Sequence, residues 1–198
     1  MTYPAAPWQM QGQLWLSLFR VRGVADRPDG VYGAALVSYE PGSELTYSEL
    51  LVARPVRDDS AGRRVSITDI WVDSPASMEG GRELWAIPKD LCDFALDTSH
   101  TGPLSRTDWS TSVERRPIAS ASFTDVSKGM VRTPFKGGTS QPPLTGDGHP
   151  VTATLSGSAK SLPCRGRWDF AADGPLAWLR GARQLASFRM ADFRMSFG

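Results

Sequence analysis

QLWLSLFRVR, residues Gln13 to Arg22, partly alternates apolar with polar side chains, the period expected of a strand with one buried face. Three runs of the same kind follow: Val31 to Glu40 (VYGAALVSYE), Thr46 to Arg57 (TYSELLVARPVR) and Arg64 to Asp73 (RVSITDIWVD). Between them lie Asp-Arg-Pro-Asp-Gly at 26–30, Pro41-Gly42 and Asp58-Asp59-Ser60-Ala61-Gly62, each a good turn former. Four strands joined by short loops predict antiparallel β structure rather than βαβ units.

Outward from these strands the pattern persists with one interruption. Ser74 to Leu84 (SPASMEGGREL) reads as a short helix: Ser74 as cap, Pro75 in the first turn, Met78 and Leu84 facing inward. Gly80-Gly81 weakens that helix, and Pro88 is expected to end it. Ser112 to Thr124 and Val151 to Ser161 read as further strands, and Leu185 to Phe197 as a last strand closing a sheet. The stretch from Lys128 to Pro150, dense in Gly, Pro and Thr, reads as a long exposed loop that covers a pocket. The fold class expected is β-dominated (α+β): one barrel-like domain over residues 1–198 with one or two short helices.

Composition sets bounds on function. With Lys+Arg 22 against Asp+Glu 21, the net charge of +1 leaves no electrostatic footprint for nucleic acid or an anionic membrane. Seven Trp, eight Phe and four Tyr supply ample burial for an ordered core. Cys92 and Cys164, with His100 and His149, match no metal-ligand spacing, so they read as buried or half-buried thiols and turn histidines. No basic and apolar leader pattern opens the chain and no run reaches membrane-spanning length, so the expected setting is reducing and cytoplasmic.

Of the 22 basic residues, 18 are Arg, so lysine chemistry must come from Lys89, Lys128, Lys136 or Lys160. The last three sit beside Gly or Ser and read as solvated turn lysines. Lys89 follows Leu84-Trp85-Ala86-Ile87-Pro88, an apolar neighbourhood. A lysine snorkelling from an apolar edge has the same local signature as a reactive one.

The segment Gly81-Arg82-Glu83-Leu84-Trp85-Ala86-Ile87-Pro88-Lys89 resembles the active-site segment of the acetoacetate decarboxylase family, G-R-E-x-x-x-x-P-K. Tyr47-Ser48-Glu49 resembles a second family stretch, and Pro4 to Trp8 and Phe193 to Gly198 resemble its two ends. The resemblance implies a cone-like antiparallel β-barrel with flanking strands, assembled as a homo-oligomer. It implies that Lys89 forms a Schiff base with a small-molecule keto acid or related carbonyl compound, and that Glu49 lies in the catalytic pocket. No metal and no organic cofactor is expected, because the imine itself is the electron sink. Acetoacetate decarboxylase is a standing example of a lysine activated by an apolar pocket or a neighbouring cation.

The chemistry demands a neutral amine, yet with a reference pKa of about 10.4 only roughly 0.04% is neutral at pH 7. Trp85 and Ile87 are expected to line the pocket and desolvate Lys89, and burial disfavours the charged form. Glu49 is the natural proton shuttle. Arg82 and Glu83 read as a buried or semi-buried pair that shapes the helix turn. Three departures from the family pattern stand out. Asp90 occupies the place of a second lysine; in extended chain it points away from Lys89. Ala34-Ala35-Leu36-Val37 lacks the family's second glutamate. Gly12 and Gln13 stand nearest to where the family has an arginine, for which Arg20 or Arg54 is the candidate substitute. Decarboxylation is the family-level reading, with aldol or dehydration chemistry through the same iminium. The alternative is a non-catalytic β-barrel that binds a hydrophobic or carboxylate-bearing small molecule.

Overall fold

The computed structural model describes residues 3–58, 62–126 and 130–198. The four strands expected first are present as β1 (Trp8–Val21), β2 (Gly30–Tyr39), β3 (Tyr47–Asp58) and β4 (Gly62–Val72), consecutive antiparallel neighbours. Of the turn between β3 and β4, residues 59–61 lie outside the described residues, as does Lys128. The helix α1 (Pro75–Trp85) follows, then the two-residue strand β5 (Asp90–Leu91). Next come β6 (Asp93–Thr101), β7 (Leu104–Val113) and β8 (Arg116–Val126), then β9 (Arg132–Gln141), β10 (Val151–Pro163) and β11 (Arg165–Phe170). A 3-10 turn (Ala177–Leu179) leads into β12 (Arg183–Phe197).

The larger sheet runs β3-β2-β1-β12-β10-β9-β4-β5, and pairing of β3 with β4 closes seven of these strands into a barrel with β5 outside. The smaller sheet, β11-β8-β7-β6, packs against the barrel wall. Closure is not wholly antiparallel: β4 and β9 run parallel and meet at a single backbone bridge, Val65 with Thr139. The fully buried Gln141 completes that seam. Its side-chain oxygen accepts from the Ile67 N–H (2.9 Å) and the Ser66 hydroxyl (2.9 Å), and its amide donates to the Ile67 carbonyl (3.1 Å). A side-chain amide thus replaces ladder bonds that would otherwise leave buried backbone groups unpaired.

Strand alternation divides the apolar residues into two cores. Trp15, Phe19, Leu36, Leu50 and Val52 face outward from the barrel and pack with Trp109, Ile118 and Phe123 of the smaller sheet. Met10, Val37, Tyr39, Tyr47, Ile70, Val72, Ala153 and Phe193 form the other, inside the barrel, capped by Trp8, Trp85 and Ile87.

Several expectations are corrected. Ser112 to Thr124 is not one strand: Glu114 and Arg115, both at positive φ (48° and 66°), turn the chain between β7 and β8. The stretch from Lys128 to Pro150 is not one loop, because β9 occupies its middle. Its Pro134 and Gly137-Gly138 are tolerated because β9 pairs along its length on one side only, with β10. At Gly138 any Cβ would lie 2.4 Å from the Ala153 carbonyl oxygen. His100 lies in β6, and Lys136 and Lys160 lie in β9 and β10, not in turns. The helix is capped by the Ser74 hydroxyl, which accepts from the Ser77 N–H (3.2 Å), but it ends at Ala86 in the left-handed region (φ 52°) rather than at Pro88. Its buried face is Ser77, Gly80, Gly81 and Trp85, with Met78 and Leu84 only half-buried.

Candidate active site

The helix end and the start of β3 bring Lys89 and Glu49 together. Ile87 N–H donates to the Gly81 carbonyl (3.0 Å), so the chain folds back along the last turn of α1. The Lys89 N–H then donates to the Ile87 carbonyl (2.8 Å) across Pro88, a tight turn that suits the fixed φ of proline. The outcome is a lysine laid along the helix. A Cβ at Gly81 would sit 2.8 Å from both Cδ and Cε of Lys89, so glycine is what lets the stem pass.

On β3, Tyr47 and Glu49 share a face because side chains repeat every second residue. Their register partners on β2 are Tyr39 and Val37, and the rings of Tyr39 and Tyr47 lie 4.4 Å apart. Glu49 is 3% exposed and Lys89 4%. Lys89 Nζ donates to Glu49 Oε2 (2.9 Å), to the Ser77 hydroxyl (2.9 Å) and to the Tyr47 hydroxyl (3.3 Å). An ammonium has three N–H donors, and here each has an oxygen. The Tyr39 hydroxyl donates to Glu49 Oε1 (3.2 Å) and the Tyr47 hydroxyl to Oε2 (3.4 Å). The ring of Tyr47 stands 5.0 Å and that of Trp8 6.0 Å from Nζ.

Electrostatics revise the expectation of a neutral lysine. Burial is the strongest single influence and pulls the Lys89 pKa down, but the Glu49 carboxylate and the Tyr47 oxygen together outweigh it. The net direction is up, which favours the ammonium form of Lys89. Burial, then the Glu49 charge, pushes Tyr47 up to about 12 and Tyr39 well above its ordinary value, so both phenols stay protonated as donors. The cysteines are not competing nucleophiles: burial first, and then nearby aspartates, push Cys92 and Cys164 up to about 12.

Trp85 and Ile87 are both buried in the barrel core. Trp85 packs edge-on against Trp8 (4.7 Å) and Phe197 (4.6 Å), while the rings that approach the amine are those of Trp8 and Tyr47. Asp90 is exposed, at the start of β5, and bonds Arg82 instead of the amine. Arg82 also donates to the Lys89 carbonyl (2.6 Å), which corrects its assignment as a partner of Glu83; Glu83 meets Tyr3 instead, and both residues are exposed. Gln13 accepts from Arg189 (3.2 Å) and from the Asp192 N–H (3.2 Å), within a polar network of its own. Arg20 lines a surface groove of about 700 Å³ with Arg22, Trp178 and Leu185. That groove is about 40 Å along β1 from Trp8, at a rise of roughly 3.3 Å per residue. Arg54 lies in β3 opposite Ser66.

Sequence reading left Tyr39, Ser77, Gly81 and Trp8 without a role. Ser77 is the residue the Ser74 cap bonds and Tyr39 is the register partner of Tyr47 on β2, relations that no local motif marks.

Tyr39, whose hydroxyl bonds Glu49, also lines an apolar cavity of about 230 Å³ inside the barrel, together with Leu14, Phe135, Leu155, Met190, Phe193 and Met195, with Lys136 and Gly137 at its edge. No described helix is long and apolar enough to cross a membrane.

Solved structures with the same fold include an acetoacetate decarboxylase from Legionella pneumophila (16% identity, TM-score 0.69, covering 99% of this chain and 86% of that one). The enduracididine biosynthesis enzyme MppR complexed with pyruvate matches with 16% identity and a TM-score of 0.73, covering 100% and 89%. An acetoacetate decarboxylase-like enzyme from Sphingomonas wittichii RW1 matches with 14% identity and a TM-score of 0.61, covering 99% and 91%. Among curated proteins none matches the sequence. The sequence pattern of acetoacetate decarboxylase matches residues 24–138, a span that holds Glu49, Ser77 and Lys89. The chain belongs to the acetoacetate decarboxylase family.

Proposed function

We propose that the protein is an enzyme that forms an imine between Lys89 and a keto substrate, with Glu49 as its proton acceptor and donor. The observation that carries this reading is the buried Lys89–Glu49 contact of 2.9 Å. A charged pair at that distance becomes a neutral pair by one proton transfer, with no net charge created in the low-dielectric interior. Glu49 takes the proton, and the freed lone pair of Nζ attacks the carbonyl carbon. The carbinolamine loses its hydroxyl as water, with the proton returned from Glu49, and leaves an iminium. For a β-keto acid, the bond to the carboxylate then breaks. Its electron pair enters the iminium to give an enamine and carbon dioxide; protonation and hydrolysis release the ketone and restore Lys89. Aldol or dehydration steps use the same iminium.

The binding-module alternative takes a hydrophobic ligand, with Lys89 idle, or a carboxylate-bearing one, with Lys89 charged and its donors to spare. All three Nζ donors are engaged here, which disfavours the carboxylate-binding form. The test is borohydride trapping with acetoacetate, pyruvate and larger keto compounds, read by intact mass and peptide mapping. A reduced adduct on Lys89, absent from Lys89→Ala, is the expected result. If every carbonyl leaves Lys89 unmodified while the native fold is intact, the reading fails.

A further inference from the structure

Resting on the imine reading above, we infer that the barrel cavity selects a keto compound whose carbonyl carries an apolar tail of about a phenyl ring's size, rather than acetoacetate or pyruvate.

The cavity and the reactive pair share one wall. The Tyr39 ring lines the cavity and meets Phe193 edge-on at 5.7 Å, while its hydroxyl reaches Glu49 Oε1 at 3.2 Å. The free volume that adjoins this shared wall lies on the far side of Tyr39 from Glu49. That volume, about 230 Å³, exceeds the roughly 150 Å³ of a dry apolar cavity that accepts benzene. A methyl ketone would leave most of it unfilled.

The lining is apolar except for the tyrosine hydroxyl, which is already bonded to Glu49. Lys136, on β9 next to Phe135, stands at the cavity's edge and is exposed. A second carboxylate or a phosphate carried deeper, among Leu14, Phe193 and Met195, would be desolvated without a buried counter-ion. Met190 and Met195 beside Phe135 and Phe193 give an adaptable surface with favourable sulfur–aromatic contacts. An aryl group or an unbranched chain of five or six carbons fits this chemistry. Each methylene buried favours association about fourfold, so four more than a methyl group give a preference on the order of 10².

The experiment compares borohydride trapping rates at Lys89 for acetoacetate, 3-oxooctanoate and 3-oxo-3-phenylpropanoate in the wild type, Leu155→Trp and Met190→Trp. The wild type is expected to trap the two larger compounds about 10²-fold faster than acetoacetate, with that ratio collapsing to within about threefold of unity in both variants. Equal rates in the wild type, or a ratio that survives both substitutions, overturn the inference. Propylbenzene, which has no carbonyl, gives an independent readout by calorimetry. Binding by the wild type that is lost in the variants supports the cavity assignment even if no compound labels Lys89, in which case the imine reading alone has failed. No binding of propylbenzene by the wild type overturns the assignment.

Discussion

Among the described residues, two ion pairs are the most withdrawn from water, and they are built for opposite ends. Arg189 on β12 holds Asp125 on β8, both Nη1 contacts at 3.1 Å, across the junction between the barrel and the smaller sheet. Its guanidinium also lies 5.2 Å from the Trp15 ring and donates to Gln13. Lys89 and Glu49 sit inside the barrel, each side chain 4% exposed. Arginine is a planar cation that keeps its proton at any working pH, so the first pair has one state and acts as a clamp between sheets. Lysine can give its proton away, so the second pair has two states of equal net charge. Burial alone does not mark a reactive site; burial of a group that can change state does.

The largest effect that sharpens this contrast is expected from Glu49→Gln. The carboxylate is what holds Lys89 above its ordinary pKa against burial, so its removal leaves desolvation in control and the Lys89 pKa falls below the reference of about 10.4. Acylation of Lys89 by a small activated ester at pH 8 should then become faster than in the wild type. Imine trapping, which needs proton transfer at two steps, should fall by about 10²–10⁴-fold. A Glu49→Gln protein whose Lys89 titrates as in the wild type and traps equally well would show that the pair is structural, like Arg189–Asp125.

Asp125→Asn probes the clamp. Breaking one side of a buried pair costs about 3–5 kcal/mol, so a clear loss in denaturant midpoint is expected. Trapping at Lys89 per folded molecule should be unchanged, because the three Nζ bonds go to Glu49, Ser77 and Tyr47 and Asp125 lies at the junction with the smaller sheet. Arg189→Lys should recover only part of the stability, since a point charge cannot reproduce the fork, the stacking on Trp15 and the bond to Gln13 together. A loss of trapping in the folded Asp125→Asn protein would mean that the two pairs are coupled through the barrel wall.

How far this contrast was legible in the sequence differs between its parts. The first four strands and the last stood out because each buries one face and alternates, and turn residues separate the first four. β6 and β11 did not stand out: all of β6 except Phe94 is exposed, and β11 alternates Arg165, Arg167 and Asp169 with Gly166, Trp168 and the buried Phe170 over only six residues. The turn at Glu114-Arg115 lacks the Gly or Asn that usually marks positive φ. Lys89 and Glu49 were legible through family resemblance, but their contact was not, being forty residues apart in sequence. Nor was the sign of the lysine's pKa shift, which hangs on that contact. Tyr39 depends on strand register and Ser77 on a capped helical turn, and neither leaves a local motif.

The finest discrimination comes from Gly81→Ala, where stability and chemistry should part company. In a helix interior alanine gains up to about 1 kcal/mol over glycine. The new methyl would meet Lys89 Cδ and Cε at 2.8 Å, and overpacking of this kind costs about 1–3 kcal/mol. These terms partly offset each other, so the unfolding free energy should fall by no more than about 2 kcal/mol. The lysine stem, though, is the flexible partner and must shift, drawing Nζ off Glu49 and Ser77. A displacement of about 1 Å at a reacting group lowers rates by up to 10²-fold. Trapping should therefore drop clearly while the fold holds, and Gly80→Ala supplies the contrast on the same helix. Its methyl would meet Trp8 (2.7 Å) and Tyr3 (2.9 Å) instead of Lys89, so it should tax stability more than chemistry. If both alanines lower trapping equally, the helix acts on the lysine as a whole and Gly81 is not the residue that sets its course.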